Sequence, residues 1–276
     1  MKETLLLILK GGLIGVANII PGVSGGTMAV VLGIYEQLIE ALGEFFTNAS
    51  RRKEYFMFLL KIGIGAVLAV VALSWVMDYL LTYYKSYTYL FFVGLIVGSI
   101  PTIYRSHHDM KFDGIAGMAF AFGAVLILLF EFSGVQKPEV VVESVSTVQL
   151  PLHQMGALFV GGILAGGSMI VPGISGSFML VLLGQYETVI RAVKTMNVGI
   201  IAILGAGVVL GILIFARLMD VFLKKWPRET FYFILGLVVA SLIAIFPGVP
   251  QSLLQFVVGT GILLSGIFVA IRLERI

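Results

Sequence analysis

A stretch of twenty-one residues occurs twice in this chain. Ile19 to Ile39 aligns with Ile170 to Ile190 at a constant offset of 151 with twelve identities, among them Pro21/Pro172, Gly22/Gly173, Ser24/Ser175, Gly25/Gly176, Met28/Met179, Gly33/Gly184, Tyr35/Tyr186 and Glu36/Glu187. The likeness continues at an offset of 142 through Gly63/Gly205, Gly65/Gly207, Leu68/Leu210, Met77/Met219 and Asp78/Asp220, then Gly94/Gly236, Leu95/Leu237, Val97/Val239 and Ser99/Ser241. The second copy has therefore lost nine residues after its motif. A duplicated chain builds its fold from two copies of one unit, so one unit and the relation between the copies define the whole.

The solvent of that unit follows from composition. Of 276 residues, 59% are hydrophobic and 12% charged, about half the charge of soluble domains. Apolar stretches of about twenty residues, enough to cross roughly 30 Å of hydrocarbon, recur along the chain. Each half reads as a hydrophobic hairpin followed by three long segments. The first hairpin has arms Leu5 to Ile20 and Thr27 to Leu42, with segments Tyr55 to Leu81, Tyr87 to Tyr104 and Gly114 to Phe132. The second has arms Leu152 to Val171 and Phe178 to Val193, with segments Val198 to Phe222, Thr230 to Phe246 and Leu253 to Ile271. A sixteen-residue arm rises about 24 Å, so the arms are re-entrant or cross a thinned bilayer at a tilt. Either reading gives an odd number of crossings per half, and an odd unit inserts upside down relative to its copy. The predicted fold class is an all-α polytopic membrane protein of two inverted-topology repeats, each a broken or re-entrant helix hairpin plus three transmembrane helices. It is a single membrane domain over residues 1–276: repeat one 1–132, an outer linker 133–151 and repeat two 152–276.

Charge placement gives an independent orientation, because short cytoplasmic loops are rich in Lys and Arg. With Lys2 inside, Arg51, Arg52 and Lys53, then Arg105 with Lys111, Lys224 and Lys225 with Arg228, and Arg272 with Arg275 all fall on the cytoplasmic side. Both termini are then cytoplasmic. The apolar run after Met1 lacks a small-residue cleavage site before Pro21 and reads as a retained segment. Arg191 and Lys194 fall outside, at the end of the second hairpin. The cluster Tyr79, Tyr83, Tyr84, Tyr87 and Tyr89 reads as an interfacial belt.

The motif Pro21-Gly22-Val23-Ser24-Gly25-Gly26-Thr27 interrupts a helix, since proline removes a donor and glycine frees the backbone. Freed amides at membrane depth need partners, and broken helices are tolerated where they are buried in protein or line a polar cavity. Two readings follow. In one, the restarting helix aims its amides at an anion such as a phosphate, helped by the hydroxyls of Ser24, Thr27, Ser175 and Ser177, which can alternatively cap the new helices. In the other, Pro-Gly only kinks a packed helix and the small residues allow close contact.

Glu36 and Glu187, at equivalent places in the two arms, either carry a coupling proton or sit solvated at the hairpin mouths. Asp220 has Arg217 at helical i, i+3 spacing and reads with Asp78 as a structural or interfacial acid. Arg191 attracts a head group from the outer leaflet or anchors the interface. The chain has no cysteine and three histidines, His107, His108 and His153, all in or beside polar connections. No metal-ligand set, no cofactor and no catalytic residue is expected, and the net charge of +3 is dispersed and points to no nucleic acid.

At its motifs the sequence resembles the bacterial polyprenyl-phosphate transporter family. The matching residues are Asn18-Ile19-Ile20-Pro21-Gly22-Val23-Ser24-Gly25-Gly26-Thr27 with Gly33-Ile34-Tyr35-Glu36, and Val171-Pro172-Gly173-Ile174-Ser175-Gly176-Ser177 with Gly184-Gln185-Tyr186-Glu187. The resemblance covers essentially the whole chain. It implies a bacterial cell-membrane transporter that returns undecaprenyl phosphate, an anionic isoprenoid lipid phosphate, from the outer to the cytoplasmic leaflet for reuse in cell-wall synthesis. Substrate-binding residues would then be Pro21, Gly22, Ser24, Gly25, Gly26, Thr27, Pro172, Gly173, Ser175, Gly176, Ser177 and Arg191. The second copy departs from the first at Ser177 for Gly26, Phe178 for Thr27 and Met169 for Asn18.

Two other function classes compete with lipid transport. An ion-coupled carrier or channel for a small soluble anion could use the same broken helices. A lipid phosphatase would need histidines beside an arginine at the membrane face, a setting the three histidines lack, so the expectation is a non-enzyme.

Overall fold

In a computed structural model, residues 2–20, 23–105, 110–132 and 152–274 are described. Pro21, Gly22, His107, His108, Arg275 and the linker 133–151 lie outside them. The described residues form twelve α-helices, in two runs of six. The first run is α1 (Lys2–Ile19), α2 (Gly25–Val31), α3 (Tyr35–Gly43), α4 (Arg52–Tyr83), α5 (Lys85–Arg105) and α6 (Gly114–Glu131). The second is α7 (Leu152–Ile170), α8 (Gly176–Leu182), α9 (Tyr186–Lys194), α10 (Val198–Lys225), α11 (Pro227–Ile245) and α12 (Leu253–Glu274).

Four of these, α4, α10, α11 and α12, are long and apolar enough to cross a membrane, and α6 and α7 contain shorter apolar helices. Each of the three long segments expected in either half is a helix, α4, α5 and α6 in the first and α10, α11 and α12 in the second. In the first, α5 has Pro101 inside it, which removes one backbone donor from the helix. Side chains on α4 and α10 face outward with apolar surface, Val71 and Trp75 being 72% and 85% exposed. Water would penalise that surface by roughly 25 cal/mol per Å², and lipid does not. Tyr79, Tyr83 and Tyr84 are exposed at the end of α4, where they contact one another.

The two arms expected as single helices after the motifs are each broken again. Gly33 ends α2 at φ +65 and Gly184 ends α8 at φ +66, a left-handed conformation cheap only for glycine. In both turns the amides point back at the preceding helix, Gly33 to Val30 and Ile34 to Ala29, Gly184 to Val181 and Gln185 to Leu180, the six-to-one closure that stops a helix. The nine residues present only in the first copy are also located. Four are the first turn of α4, which has 32 residues against 28 in α10, and the rest lengthen the α3–α4 connection.

Helix pairs pack backbone to backbone. α1 lies on α4 and α7 on α10, while α5 lies on α12 and α6 on α11, so the two runs interlock. Small residues set these approaches: any side chain at Gly65 would collide with the Ile8 carbonyl, and at its counterpart Gly207 with that of Phe159. Without a hydrophobic driving force in lipid, such close van der Waals contact is what holds helices together. At the centre sits α2, whose Met28, Val31 and Leu32 are fully buried.

Candidate functional site where the two helix breaks meet

Each motif restarts its helix with a serine cap. Ser24 (φ −105, ψ 143) and Ser175 (φ −101, ψ 142) adopt the same extended conformation. Their hydroxyl oxygens accept from the amides of Thr27 and Phe178, each at 3.2 Å. Ser at this position satisfies one of the amides that the first turn leaves open. Each cap also lies near a second hydroxyl, Ser24 Oγ 3.4 Å from Thr27 Oγ1 and Ser175 Oγ 3.3 Å from Ser177 Oγ.

The first break is further tied by Asn18, whose Oδ1 accepts from the Gly25 amide at 3.1 Å. Met169 occupies the corresponding place in the second copy and brings no oxygen to the Gly176 amide.

The two breaks touch. The Gly173 amide donates to Thr27 Oγ1 at 2.7 Å across 146 residues, and the Tyr35 hydroxyl donates to the Ile170 carbonyl at 3.1 Å. A β-carbon at Gly26 would stand 3.0 Å from the Met169 carbonyl oxygen and 3.1 Å from that of Ile170, so this glycine lets α2 approach the end of α7. Gly173 itself, at φ +87, turns the chain where an L side chain would be strained. Of the expected site residues, Gly26, Thr27, Pro172 and Gly173 meet across the two breaks, with Ser24 and Gly25 beside them in the first motif and Ser175, Gly176 and Ser177 in the second. Their surroundings differ: Ser24 and Thr27 are 1% and 2% exposed, whereas Ser175 is half-buried and Ser177 exposed.

Glu36 and Glu187 do not lie deep inside an arm. The second break in each arm puts them in the first turn of α3 and of α9, both exposed, where a carboxylate favours the positive end of a helix. Arg191 is exposed on α9 and forms no ion pair among the described residues.

Two polar features escaped the sequence reading. Lys10 donates from Nζ to the Leu32 carbonyl at 3.0 Å, placing a positive charge at the end of α2; the signal was a lone lysine within the apolar run of α1. The other is a charge cluster joining the halves. Asp220 pairs with Arg217 as the spacing suggested, Nη1 to Oδ2 3.2 Å, but Lys224 also bridges Asp220 at 2.8 Å and Glu44 at 2.6 Å. Hydrogen bonds from Lys224 and Asn48 hold the Glu44 carboxyl down at about 2. Gly43 permits the approach, since a β-carbon there would stand 3.1 Å from the Asp220 β-carbon.

Comparison with known proteins agrees with the resemblance read from the motifs. A model of an undecaprenyl phosphate translocase-like family matches residues 14–257. A polyprenyl-phosphate transporter of Staphylococcus aureus is 35% identical over 277 aligned residues, covering 98% of this chain and 95% of that protein. A polyprenyl-phosphate transporter of Vibrio cholerae is 31% identical over 259 residues, covering 87% of this chain and 76% of the other. No solved structure matches.

Proposed function

The chain belongs to the undecaprenyl phosphate translocase-like family, and from that premise we propose that it is a transporter, not an enzyme, that moves undecaprenyl phosphate from the outer to the cytoplasmic leaflet of the bacterial cell membrane. The phosphate is bound where the two Pro-Gly-x-Ser-Gly breaks meet. The single observation that carries this reading is the 2.7 Å contact between the Gly173 amide and Thr27 Oγ1, which joins two interrupted segments at one place.

A lipid phosphate needs hydrogen-bond donors within reach of the hydrocarbon, because a charge taken from water without compensation costs several kcal/mol or more. The second break supplies them: the Gly176 amide that Met169 leaves open, and the Ser175 and Ser177 hydroxyls. Ser24, Gly25, Gly26 and Thr27 with the Pro172-Gly173 turn form the opposite wall. Arg191 draws the anion toward this wall electrostatically. The isoprenoid tail stays in lipid, since each methylene moved into water costs about 0.8 kcal/mol.

The two halves, 1–132 and 152–276, are inverted repeats in one membrane domain, with the linker outside and both termini cytoplasmic. Such symmetry supplies two related states of one site. Glu36 and Glu187, at the mouths of the hairpins, carry the coupling proton.

Reconstitution into liposomes with labelled undecaprenyl phosphate, reading leaflet exchange, tests this. Ser175→Ala and Ser177→Ala are expected to slow exchange. Unchanged exchange in Ser24→Ala, Ser175→Ala and Ser177→Ala would remove the site. Flux of free inorganic phosphate with no exchange of the lipid would instead assign the same breaks to a small-anion carrier.

A further inference from the structure

Packing between the twelve helices repeats itself almost completely. α1 on α4 matches α7 on α10, α5 on α12 matches α11 on α6, and α3 beside α4 matches α9 beside α10. One set of contacts has no comparable counterpart among the described residues. The pair α2–α3 also docks on α5, α7 and α10, whereas α8–α9 rests on α7, α10 and itself.

We infer that α8–α9 is the moving element of a gate: in a second state it docks on α1, α4 and α11 as α2–α3 now docks on α7, α10 and α5, and α2–α3 lets go. This rests on the reading of the chain as a two-state transporter and names the parts that exchange.

The residues at equivalent places fit such a docking. Tyr35 now reaches the Ile170 carbonyl; its counterpart Tyr186 would reach that of Ile19, the same two offsets applied in reverse. The present clasp sets Glu44, just after α3, against Lys224 of α10 at 2.6 Å. The counterparts of Glu44 and Lys224 are Thr195 and Thr82, but where Gly43 now approaches Asp220 the counterpart sets Lys194, at the end of α9, against Asp78 of α4, a base against an acid. Asp78 is exposed and forms no ion pair among the described residues. Charges on apolar segments are costly unless paired or used, and this docking pairs them.

The two dockings exclude one another because α2 occupies the space beside the second break into which α8 would turn. They are unequal in strength. Thr27 holds the Gly173 amide in the present state, while Phe178, its counterpart, has no hydroxyl to hold Gly22. The state with α2–α3 docked is therefore favoured at rest.

The chain has no cysteine of its own, so introduced pairs report cleanly. Gly43→Cys with Asp220→Cys captures the present clasp, whose β-carbon separation of 3.1 Å reaches the roughly 3.5–4.5 Å of a disulfide when the helices give by a few tenths of an ångström. Lys194→Cys with Asp78→Cys is the equivalent pair for the second state. In membranes under mild oxidation, both pairs are expected to give a mobility shift reversed by dithiothreitol, the second more slowly and faster when Glu44→Gln weakens the clasp. Each locked form should lose lipid exchange and regain it on reduction. As a second measurement, Lys194→Asp should lose exchange and Lys194→Asp with Asp78→Lys should recover it, which a loss at either position through misfolding alone would not allow. The inference is overturned if Lys194→Cys/Asp78→Cys never cross-links, even with Glu44→Gln, in protein that still exchanges the lipid. Cross-linking of both pairs in protein that exchanges no lipid would keep the gate and refute the substrate.

Discussion

Helices α2 and α8 begin with the same cap, run for the same seven residues and end on the same glycine turn, yet they live in different surroundings. Six of the seven residues of α2 are buried, Gly26 through Val31, whereas in α8 only Gly176 and Leu180 are. The first break uses its polar groups: Asn18 takes the Gly25 amide, Ser24 takes that of Thr27, and Thr27 takes that of Gly173. The second break keeps Ser177 exposed and has Met169 where the first has Asn18. Identical local chemistry has thus become an anchor in one copy and an open face in the other. Three of the differences between the copies, Asn18/Met169, Gly26/Ser177 and Thr27/Phe178, change the polar groups at the breaks, and Gly26 and Thr27 lie on the contact between the copies.

Making the copies alike is the sharpest way to break this comparison. Gly26→Ser installs the residue that the second copy already tolerates, but here its β-carbon presses on two backbone carbonyls, of Met169 and Ile170, which cannot rotate away. The expected cost is about 1–3 kcal/mol, seen as a lower midpoint of thermal unfolding in detergent together with loss of exchange. Ser177→Gly, at the exposed counterpart, should cost under about 1 kcal/mol. Equal penalties at the two sites would mean that both breaks are packed alike in the membrane.

An effect of similar size is expected at the anchor itself. Thr27→Val keeps the shape and removes the acceptor of the Gly173 amide, leaving a part-buried donor without its partner at about 1–3 kcal/mol. The loss should fall on the docked state, so cysteine accessibility on α3 should rise along with the lower melting midpoint. Ser24→Ala and Ser175→Ala each lose a cap, about 1 kcal/mol. Accessibility on α3 unchanged in Thr27→Val would mean that this bond does not hold the two copies together.

Much of this arrangement was legible in the sequence, because the duplication, the apolar segments and the Pro-Gly breaks are local properties. The second break in each arm was not. A lone glycine in an apolar helical stretch is tolerated at about 1 kcal/mol, and nothing in Gly33 or Gly184 by itself distinguishes a tolerated glycine from one in a left-handed turn. That omission left Glu36 and Glu187 between a coupling role and a solvated position at the hairpin mouths, whereas each is exposed in the first turn of a new helix. At the site, the serine caps could be read from residue type. The contact of Thr27 with Gly173, 146 residues apart, could not, and neither could the bridge from Glu44 to Lys224, 180 residues apart. The Asp220–Arg217 pair was visible because helical periodicity places it on one face; its partners come from another helix.

The smallest effect separates the ends of the two hairpins. Glu44 follows α3, and its counterpart after α9 is Thr195, whose hydroxyl bonds back to the Arg191 and Ala192 carbonyls of α9 at 2.9 and 3.4 Å. Holding Glu44 at about 2, below the ordinary 4.5, means that its contribution to stability is fully present above pH 4.5 and fades as pH falls through about 2. Wild type should therefore lose melting midpoint over that window relative to Glu44→Gln, and the two curves should converge toward pH 2. Lys224 is half-exposed, so screening by water limits the difference at neutral pH to about 1 kcal/mol or less. Thr195→Gln should show no such window. Curves for wild type and Glu44→Gln that run parallel from pH 7 to pH 2 would mean that the clasp between α3 and α10 is open in solution, and that the two hairpin ends are more alike than their packing indicates.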